Sequence, residues 1–335
     1  MNKVAINGLG RIGRATLKII MENPELELVA INDIAPGDNL AYLLAYDTVY
    51  GRYHKTVHAA VNALVIDGRE IPLFSEKDPA QLPWAKLGVD IVFECTGIFT
   101  TLEEMQKHIQ AGARYALLSA PSKSKEMVTI VHSTSQQARP PVYSCASCTT
   151  NGITPVCEVM GRRLGVRKAA MSTVHAYTAT QKIVDGPSKK LRRGRAGAAN
   201  LVPSSTGAAA ATTKVLPELE GKFDGVAIRV PVLCGSLADL TFVTERPTSV
   251  EEVNRIFKEE SESERYRDVL GVTEDPLVSS DILRDSRATV VDLQMTKVID
   301  GDLVKVMSWY DNEWGYAAQM VREAMGLAGS ADKGG

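Results

Sequence analysis

Along the first half of the chain, short apolar runs alternate with segments whose apolar residues recur every three to four positions. Val4-Ala5-Ile6 is a run that ends in glycines, and Ile12, Ala15 and Ile19 then fall on one helical face. Leu26 to Ile31 and Asp90 to Glu94 predict further strands, Leu102 to Ala111 a helix, and Tyr115 to Ser119 the strand after it. Strand, helix, strand in this rhythm predicts a parallel sheet with right-handed crossovers. The polar stretch from Ser133 to Pro141 ends in Pro140-Pro141 and reads as a loop.

Near residue 148 the pattern changes. Lys168 to Tyr177, Val226 to Val232, Leu237 to Glu245, Thr289 to Ile299 and Leu303 to Tyr310 are longer, often alternating and rich in β-formers. Closely spaced strands with few helices predict a large antiparallel or mixed sheet. One helix intervenes, opened by Ser249-Val-Glu-Glu252 with the spacing of a capping box. A last, amphipathic helix is expected at about Glu313 to Leu327, and Gly329 to Gly335 is expected to fray. The division this predicts is 1–148 and 149–312, with helix 313–328 packing back on the first domain. A length of 335 residues agrees with two domains, at about 100–200 residues each.

Composition narrows the function. Apolar residues are 44% and charged residues 23%, the balance of a globular protein, which excludes a disordered or collagen-like chain. With 38 basic and 40 acidic side chains there is no global pull toward nucleic acid or an anionic membrane. Neither is expected as a partner, and 6% aromatics are few for a single-strand stacking platform. No apolar run approaches the roughly 18 residues of a membrane span, and the amino-terminus does not read as a signal peptide. Five scattered cysteines suit a reducing cytoplasm rather than a disulfide scaffold.

Two places carry chemistry. Gly8-Leu-Gly10-Arg-Ile-Gly13 follows a predicted strand and opens a predicted helix. Gly8 would allow the tight turn, Gly10 the approach of a pyrophosphate, and Gly13 close helix–strand contact, with the helix amino-terminus facing the phosphates. Asp33 ends the second strand, twenty residues after Gly13. A carboxylate there accepts ribose hydroxyls and repels a 2′-phosphate, which selects NAD over NADP. The second place is Ser147-Cys148-Thr149-Thr150-Asn151, at the start of an apolar-periodic segment reaching about Leu164, with Pro155 expected to disturb it. A cysteine at a helix amino-terminus has a favoured thiolate, and His175 lies in a strand-like run. Together they would make an activated nucleophile; singly, each also reads as a buried thiol and a hydrogen-bonded strand histidine.

Seven motifs then fall in order along nearly the whole chain: Asn7-Gly-Leu-Gly-Arg-Ile-Gly-Arg14, Ala146-Ser-Cys-Thr-Thr-Asn151, His175-Ala-Tyr-Thr-Ala-Thr-Gln181, Leu191-Arg-Arg-Gly-Arg195, Ser205-Thr-Gly-Ala-Ala209, Arg229-Val-Pro231 and Trp309-Tyr-Asp-Asn-Glu-Trp-Gly-Tyr316. In these the sequence resembles the phosphorylating glyceraldehyde-3-phosphate dehydrogenases. The resemblance implies a Rossmann-type parallel-sheet nucleotide domain and an α+β catalytic domain with a large mixed sheet. It implies oxidation of glyceraldehyde 3-phosphate with NAD and inorganic phosphate, Cys148 as nucleophile, and His175 as its ion-pair partner and acid–base. Erythrose-4-phosphate dehydrogenase and a non-catalytic nucleotide-binding protein are the alternatives.

By the same resemblance, Thr178 and Arg229 take the substrate phosphate. Ser147, Thr149, Thr206 and Gly207 take the attacking phosphate, with Arg195 nearby, while Arg192 and Arg193 read as a solvated face. Arg11 and Ile12 lie by the pyrophosphate and Lys77 by the adenine. Ser119, Asn312 and Tyr316 lie by the nicotinamide. The loop from about Tyr177 to Asn200 implies a homotetramer, and no metal is implied. Gly152 departs from the family's usual second cysteine. Cys145 departs from its asparagine and creates a CxxC with Cys148, for which a reversible disulfide is one reading.

Overall fold

The computed structural model of the chain describes residues 1–331, with side chains as far as residue 327. The expected fraying beyond residue 331 lies outside the described residues, while 329–331 continue a helix. The chain divides into two units. One comprises Met1–His132, Gln137–Ala146 and the chain from Ala317 onward; the other comprises Ser133–Gln136 and Ser147–Tyr316.

In the first unit, the strand Asn2–Asn7, buried from Val4 onward, pairs in parallel with Leu26–Asn32 on one side and Ile91–Glu94 on the other. Tyr115–Leu118 and Val142–Ser144 extend the sheet in parallel beyond Ile91–Glu94. Arg69–Phe74 joins in parallel on the far side, followed by the antiparallel Ala63–Ile66 and Val57–Ala60. The sheet order therefore reverses beside the first strand, at whose carboxyl end such folds bind their ligands. The helix Leu102–Gln110 starts with a full capping box: Thr101 Oγ1 accepts from Glu104 N at 3.3 Å and Glu104 Oε2 from Thr101 N at 2.9 Å. The helix Gly37–Ala45 and the antiparallel strands between residues 57 and 74 are additions the apolar pattern does not predict.

The second unit holds a seven-stranded mixed sheet in the order Val202–Ser205, Phe223–Val230, Val166–Ala176, Ser236–Thr244, Leu303–Tyr310, Thr289–Ile299, Leu270–Thr273. Ser236–Thr244 alternates buried and half-exposed positions along its whole length, so one face is core. The helix Cys148–Leu164 packs on that sheet and runs unbroken through Pro155, without the disturbance expected there. Ser249 caps the helix Val250–Glu262 through its hydroxyl, but the box stays half made. Glu252 instead binds Arg246 at 2.9 Å and Thr248 at 2.8 Å, because a charged partner outcompetes a neutral amide.

The carboxy-terminal helix Trp314–Ala331 is not amphipathic in its described part. Ala317, Met320, Val321 and Ala324 are buried, and so are Gln319 and Glu323. Glu323 tolerates burial because His132 Nδ1 at 3.0 Å, Arg139 Nε at 2.8 Å and the Tyr143 hydroxyl at 3.4 Å surround it. Burial pushes its carboxyl up, but these partners outweigh that and hold it below the usual carboxylate range. No helix among the described residues is long and apolar enough to cross a membrane.

Candidate active site

The glycine turn of the first unit is built as its spacing predicts. Gly8 has φ +92°, and a Cβ there would sit 2.7 Å from the Thr96 backbone nitrogen. A Cβ on Gly13 would overlap the Gly8 carbonyl, whereas one on Gly10 would meet nothing within 4 Å. Two glycines are thus required by the protein's own packing, and the third leaves space that only a ligand uses. No side chain caps the helix Arg11–Ile20, whose amino-terminus favours an anion. Asp33 accepts from Leu9 N at 2.7 Å and Ala35 N at 2.9 Å, one bond per oxygen. A carboxylate has about four acceptor positions, so it keeps capacity for a ribose.

A cavity of about 520 Å³ opens here, lined by Gly8, Gly10, Asp33, Lys77, Ile34 and Ile98 among others. Ile34 and Ile98 are 61% and 62% exposed and make apolar walls that motif reading did not find. Arg11 directs its guanidinium to Asp47 at 2.7 Å and lies over the Tyr50 ring, so its backbone is the part that belongs to the turn. Ile12 is half-buried. Ser119 hydrogen-bonds the Cys95 thiol, which burial and the Glu94 charge push up to about 12. The cavity and turn fit a dinucleotide.

In the second unit, Ser147 caps the helix Cys148–Leu164 by accepting from Thr150 N at 3.1 Å, which places Cys148 on the first turn. Its Sγ lies 3.4 Å from Nε2 of His175. His175 is 3% exposed and stands directly opposite Arg229 in the parallel pairing of Val166–Ala176 with Phe223–Val230. Nδ1 of His175 is 2.7 Å from the Ala176 carbonyl, and Arg229 Nη1 reaches the same oxygen at 3.0 Å. Arg229 Nη1 also lies 2.6 Å from Nδ1 itself, and Nε2 is the ring nitrogen that faces the sulfur.

Two shifts bear on the expected ion pair. Burial raises the Cys148 thiol above its ordinary value, against the opposing pull of Arg229 and of the Thr149 and Cys148 amides. Burial, then the Arg229 charge, lowers His175 to about 3. Both shifts favour a neutral thiol beside a neutral imidazole. Arg229 Nε is itself buried without a hydrogen-bond partner, a donor suited to an anion.

Two side chains escaped motif reading. Tyr310 packs edge-on to His175 at 6.0 Å, and its hydroxyl bonds Thr149 at 3.1 Å and Thr173 at 2.7 Å. A Cβ on Gly152 would already stand 3.2 Å from that ring. Arg193 is the other. It bonds Thr180 Oγ1 and Ser204 Oγ, both at 3.1 Å, and its charge adds to that of Arg229 in lowering His175. Thr180 in turn bonds Thr178 Oγ1 at 2.9 Å. Arg195 points elsewhere, to Asp185 at 2.7 Å in an exposed pair. Of these two arginines, Arg193 is the one whose charge reaches His175. The 3₁₀ turn Leu191–Gly194 turns residue 193 inward, and Asp185 offers residue 195 a charged partner.

Thr206 accepts from Ala208 N at 3.2 Å, and Gly207 caps the helix Ala208–Val215 with open space at its Cα. Asn312 Oδ1 accepts from Ser236 Oγ at 2.9 Å, Gly235 N at 3.1 Å and Cys234 Sγ at 3.6 Å, which orients its amide as a donor. Tyr316 is buried on the first turn of the last helix. All five cysteines are free thiols; burial and Glu323 push Cys145 well above its ordinary value. Among the described residues, no group of His, Cys, Asp or Glu is placed to hold a metal ion.

Residues 2–102 match the family model described as glyceraldehyde 3-phosphate dehydrogenase, NAD binding domain, and residues 147–312 match the model of that family's C-terminal domain. The chain is 45% identical over 331 residues to a protein named glyceraldehyde-3-phosphate dehydrogenase from Zymomonas mobilis, covering 97% of this chain and 98% of the relative. It is 46% identical over 324 residues to glyceraldehyde-3-phosphate dehydrogenase 2 of Streptomyces avermitilis, covering 95% and 96%. With glyceraldehyde-3-phosphate dehydrogenase 1 of Kluyveromyces lactis the identity is 46% over 323 residues, covering 96% and 98%.

Proposed function

The chain belongs to the glyceraldehyde-3-phosphate dehydrogenase family, and we propose that it carries out the family reaction through Cys148. That reaction is the NAD-dependent oxidative phosphorylation of D-glyceraldehyde 3-phosphate to 1,3-bisphosphoglycerate. The observation that carries the assignment is the Cys148 Sγ to His175 Nε2 distance of 3.4 Å beside the half-buried Arg229.

Sγ adds to the aldehyde carbon while its proton passes to Nε2. A thiohemiacetal forms on Cys148, and the Cys148 amide and the new Nε2–H face the developing oxyanion. Bound NAD supplies the hydride acceptor. The oxidised acyl group stays on sulfur as a thioester, which keeps it activated, and inorganic phosphate displaces it to restore the thiol. Burial first, and after it the charges of Arg229 and Arg193, depresses His175; a phosphate dianion beside the two guanidiniums opposes the part of that shift that is due to charge.

Arg229, Thr178 and Arg193 are assigned to anion binding, with Ser147, Thr149, Thr206 and Gly207 for the attacking phosphate. In the first unit the turn at Gly8, Gly10 and Gly13, the backbone of Arg11 and Ile12, Asp33, Lys77 and Ser119 would hold the cofactor. In the second unit Asn312 and Tyr316 would serve its nicotinamide. We assign residues 1–148, with helix 313–328, to the nucleotide domain and 149–312 to the catalytic domain. The loop 177–200 carries Ile183, Val184 and Leu191 at 90, 73 and 85% exposure, apolar surface that favours a second subunit and hence a homotetramer. A cytoplasmic location suits five free thiols.

The test is reduced-nicotinamide absorbance with the triose phosphate, comparing NAD with NADP, phosphate with none, and erythrose 4-phosphate as rival substrate. Turnover requiring NAD, phosphate and the triose supports the assignment; preference for the tetrose or for NADP overturns it.

A further inference from the structure

Beneath the glycine turn lies a buried polar cluster that the reaction does not use. The Glu94 carboxylate is 0% exposed and accepts from Asn7 Nδ2 at 2.5 Å, Thr96 N at 2.8 Å, the Thr96 hydroxyl and His108 Nε2 at 3.1 Å. Four donors meet about the full acceptor capacity of a carboxylate, which is how a charge is held in a dry interior. His108, also 0% exposed, sits on the helix Leu102–Gln110. Trp84 Nε1 lies 3.1 Å from its Nδ1. Indole N–H only donates, so Nδ1 accepts, and the ring proton is fixed on Nε2, where it points at Glu94.

The other side of the cluster is the wall of the dinucleotide cavity. Asn7 Oδ1 accepts from Asn32 Nδ2 at 2.7 Å, and Asn32 Oδ1 from Glu76 N at 2.8 Å; Asn7, Asn32, Glu76 and Thr96 all line the cavity. Thr96 is also the residue whose backbone lies where a Gly8 side chain would be. We propose that His108, oriented by Trp84, is a positioning residue for NAD: through Glu94 it fixes Asn7 and Thr96, and with them the shape of the glycine turn. His108 itself does not line the cavity. The inference rests on the cofactor reading above.

Removing the Nε2–H leaves Glu94 one donor short. Asn7 and Thr96 hold the remaining bonds to that carboxylate, so its readjustment moves them and with them the cofactor wall. His108→Phe keeps a ring against Trp84 and removes both hydrogen bonds; His108→Gln offers a donor and an acceptor again. Calorimetric titration of NAD into the full-length ligand-free protein should show about a tenfold higher Kd for His108→Phe. His108→Gln should stay within about threefold of wild type, and kcat at saturating NAD should move less than about twofold.

Trp84→Phe is the milder second variant, should His108→Phe fail to fold. It should raise Kd and replace the Nε2–H signature of the His108 ring nitrogens in 15N spectra with a mixture of tautomers. A folded His108→Phe protein with the wild-type Kd overturns the proposal, as does an unchanged Kd in Trp84→Phe where His108→Phe does not fold. Wild-type protein that fails to bind NAD overturns the cofactor reading, and this proposal with it.

Discussion

His175 and Arg229 face each other across two parallel strands, so Arg229 Nη1 lies 2.6 Å from Nδ1 and the guanidinium charge falls on the imidazole. With His175 lowered to about 3 and Cys148 raised, both shifts favour the uncharged pair near neutral pH. Alkylation of Cys148 by iodoacetamide should therefore climb with pH and show no plateau between about pH 5 and 7, since only the thiolate reacts. A plateau there would report an ion pair. Replacing His175 with Asn should lower kcat by about 10²- to 10⁴-fold, the usual worth of a positioned acid–base. The two arginines make a second residue-level prediction. Arg193→Ala should raise the KM for a phosphorylated ligand by about tenfold or more, while Arg195→Ala, which breaks only an exposed pair, should change it less than about twofold; equal effects in initial-rate assays would contradict this. Cys148 and His175 were legible because their residue types name a chemistry. Arg193 was not, because a 3₁₀ turn has no periodicity from which to read facing. Tyr310 looked like one more alternating strand residue.

Elements were legible where one pattern ran long enough to outvote its neighbours. Thr289–Ile299 and Leu303–Tyr310 have the expected bounds because both are long and rich in β-formers, the second alternates throughout, and Asp300-Gly301, at φ 50° and 77°, supplies the turn. The strands between residues 57 and 74 are four to six residues each, too short for a period to speak. The last helix misled because its polar residues are buried on partners distant in sequence, which no local pattern records. Glu323 tests that account. Its folded-state value lies below the ordinary one, so its stabilisation is present above the unfolded value and is lost as pH falls through the folded one. Glu323→Gln should cost about 3 kcal/mol at neutral pH and flatten the acid limb of a Tm-against-pH curve. The glycine turn separates packing from binding. Gly10→Ala should leave Tm unchanged and weaken NAD by about tenfold or more in calorimetry, because space is open there; Gly8→Ala, forced to φ +92°, should lower Tm as well.

On the scale of the molecule, a parallel-sheet unit supplies a turn for a dinucleotide, and a mixed-sheet unit supplies a thiol, a base and fixed positive charge for a phosphorylated aldehyde. The 177–200 loop adds apolar surface, and Ile183→Glu should shift the mass seen by light scattering toward smaller species if that surface joins subunits. The whole account depends on an acyl group residing on one sulfur. Mixing the protein with NAD and glyceraldehyde 3-phosphate in the absence of inorganic phosphate, then quenching in acid for peptide mass analysis, tests this directly. The account predicts a burst of reduced cofactor equal to the number of active sites, and one phosphoglyceroyl group on the peptide containing Cys148. A burst with that peptide unmodified, or the group on any other residue, would contradict it.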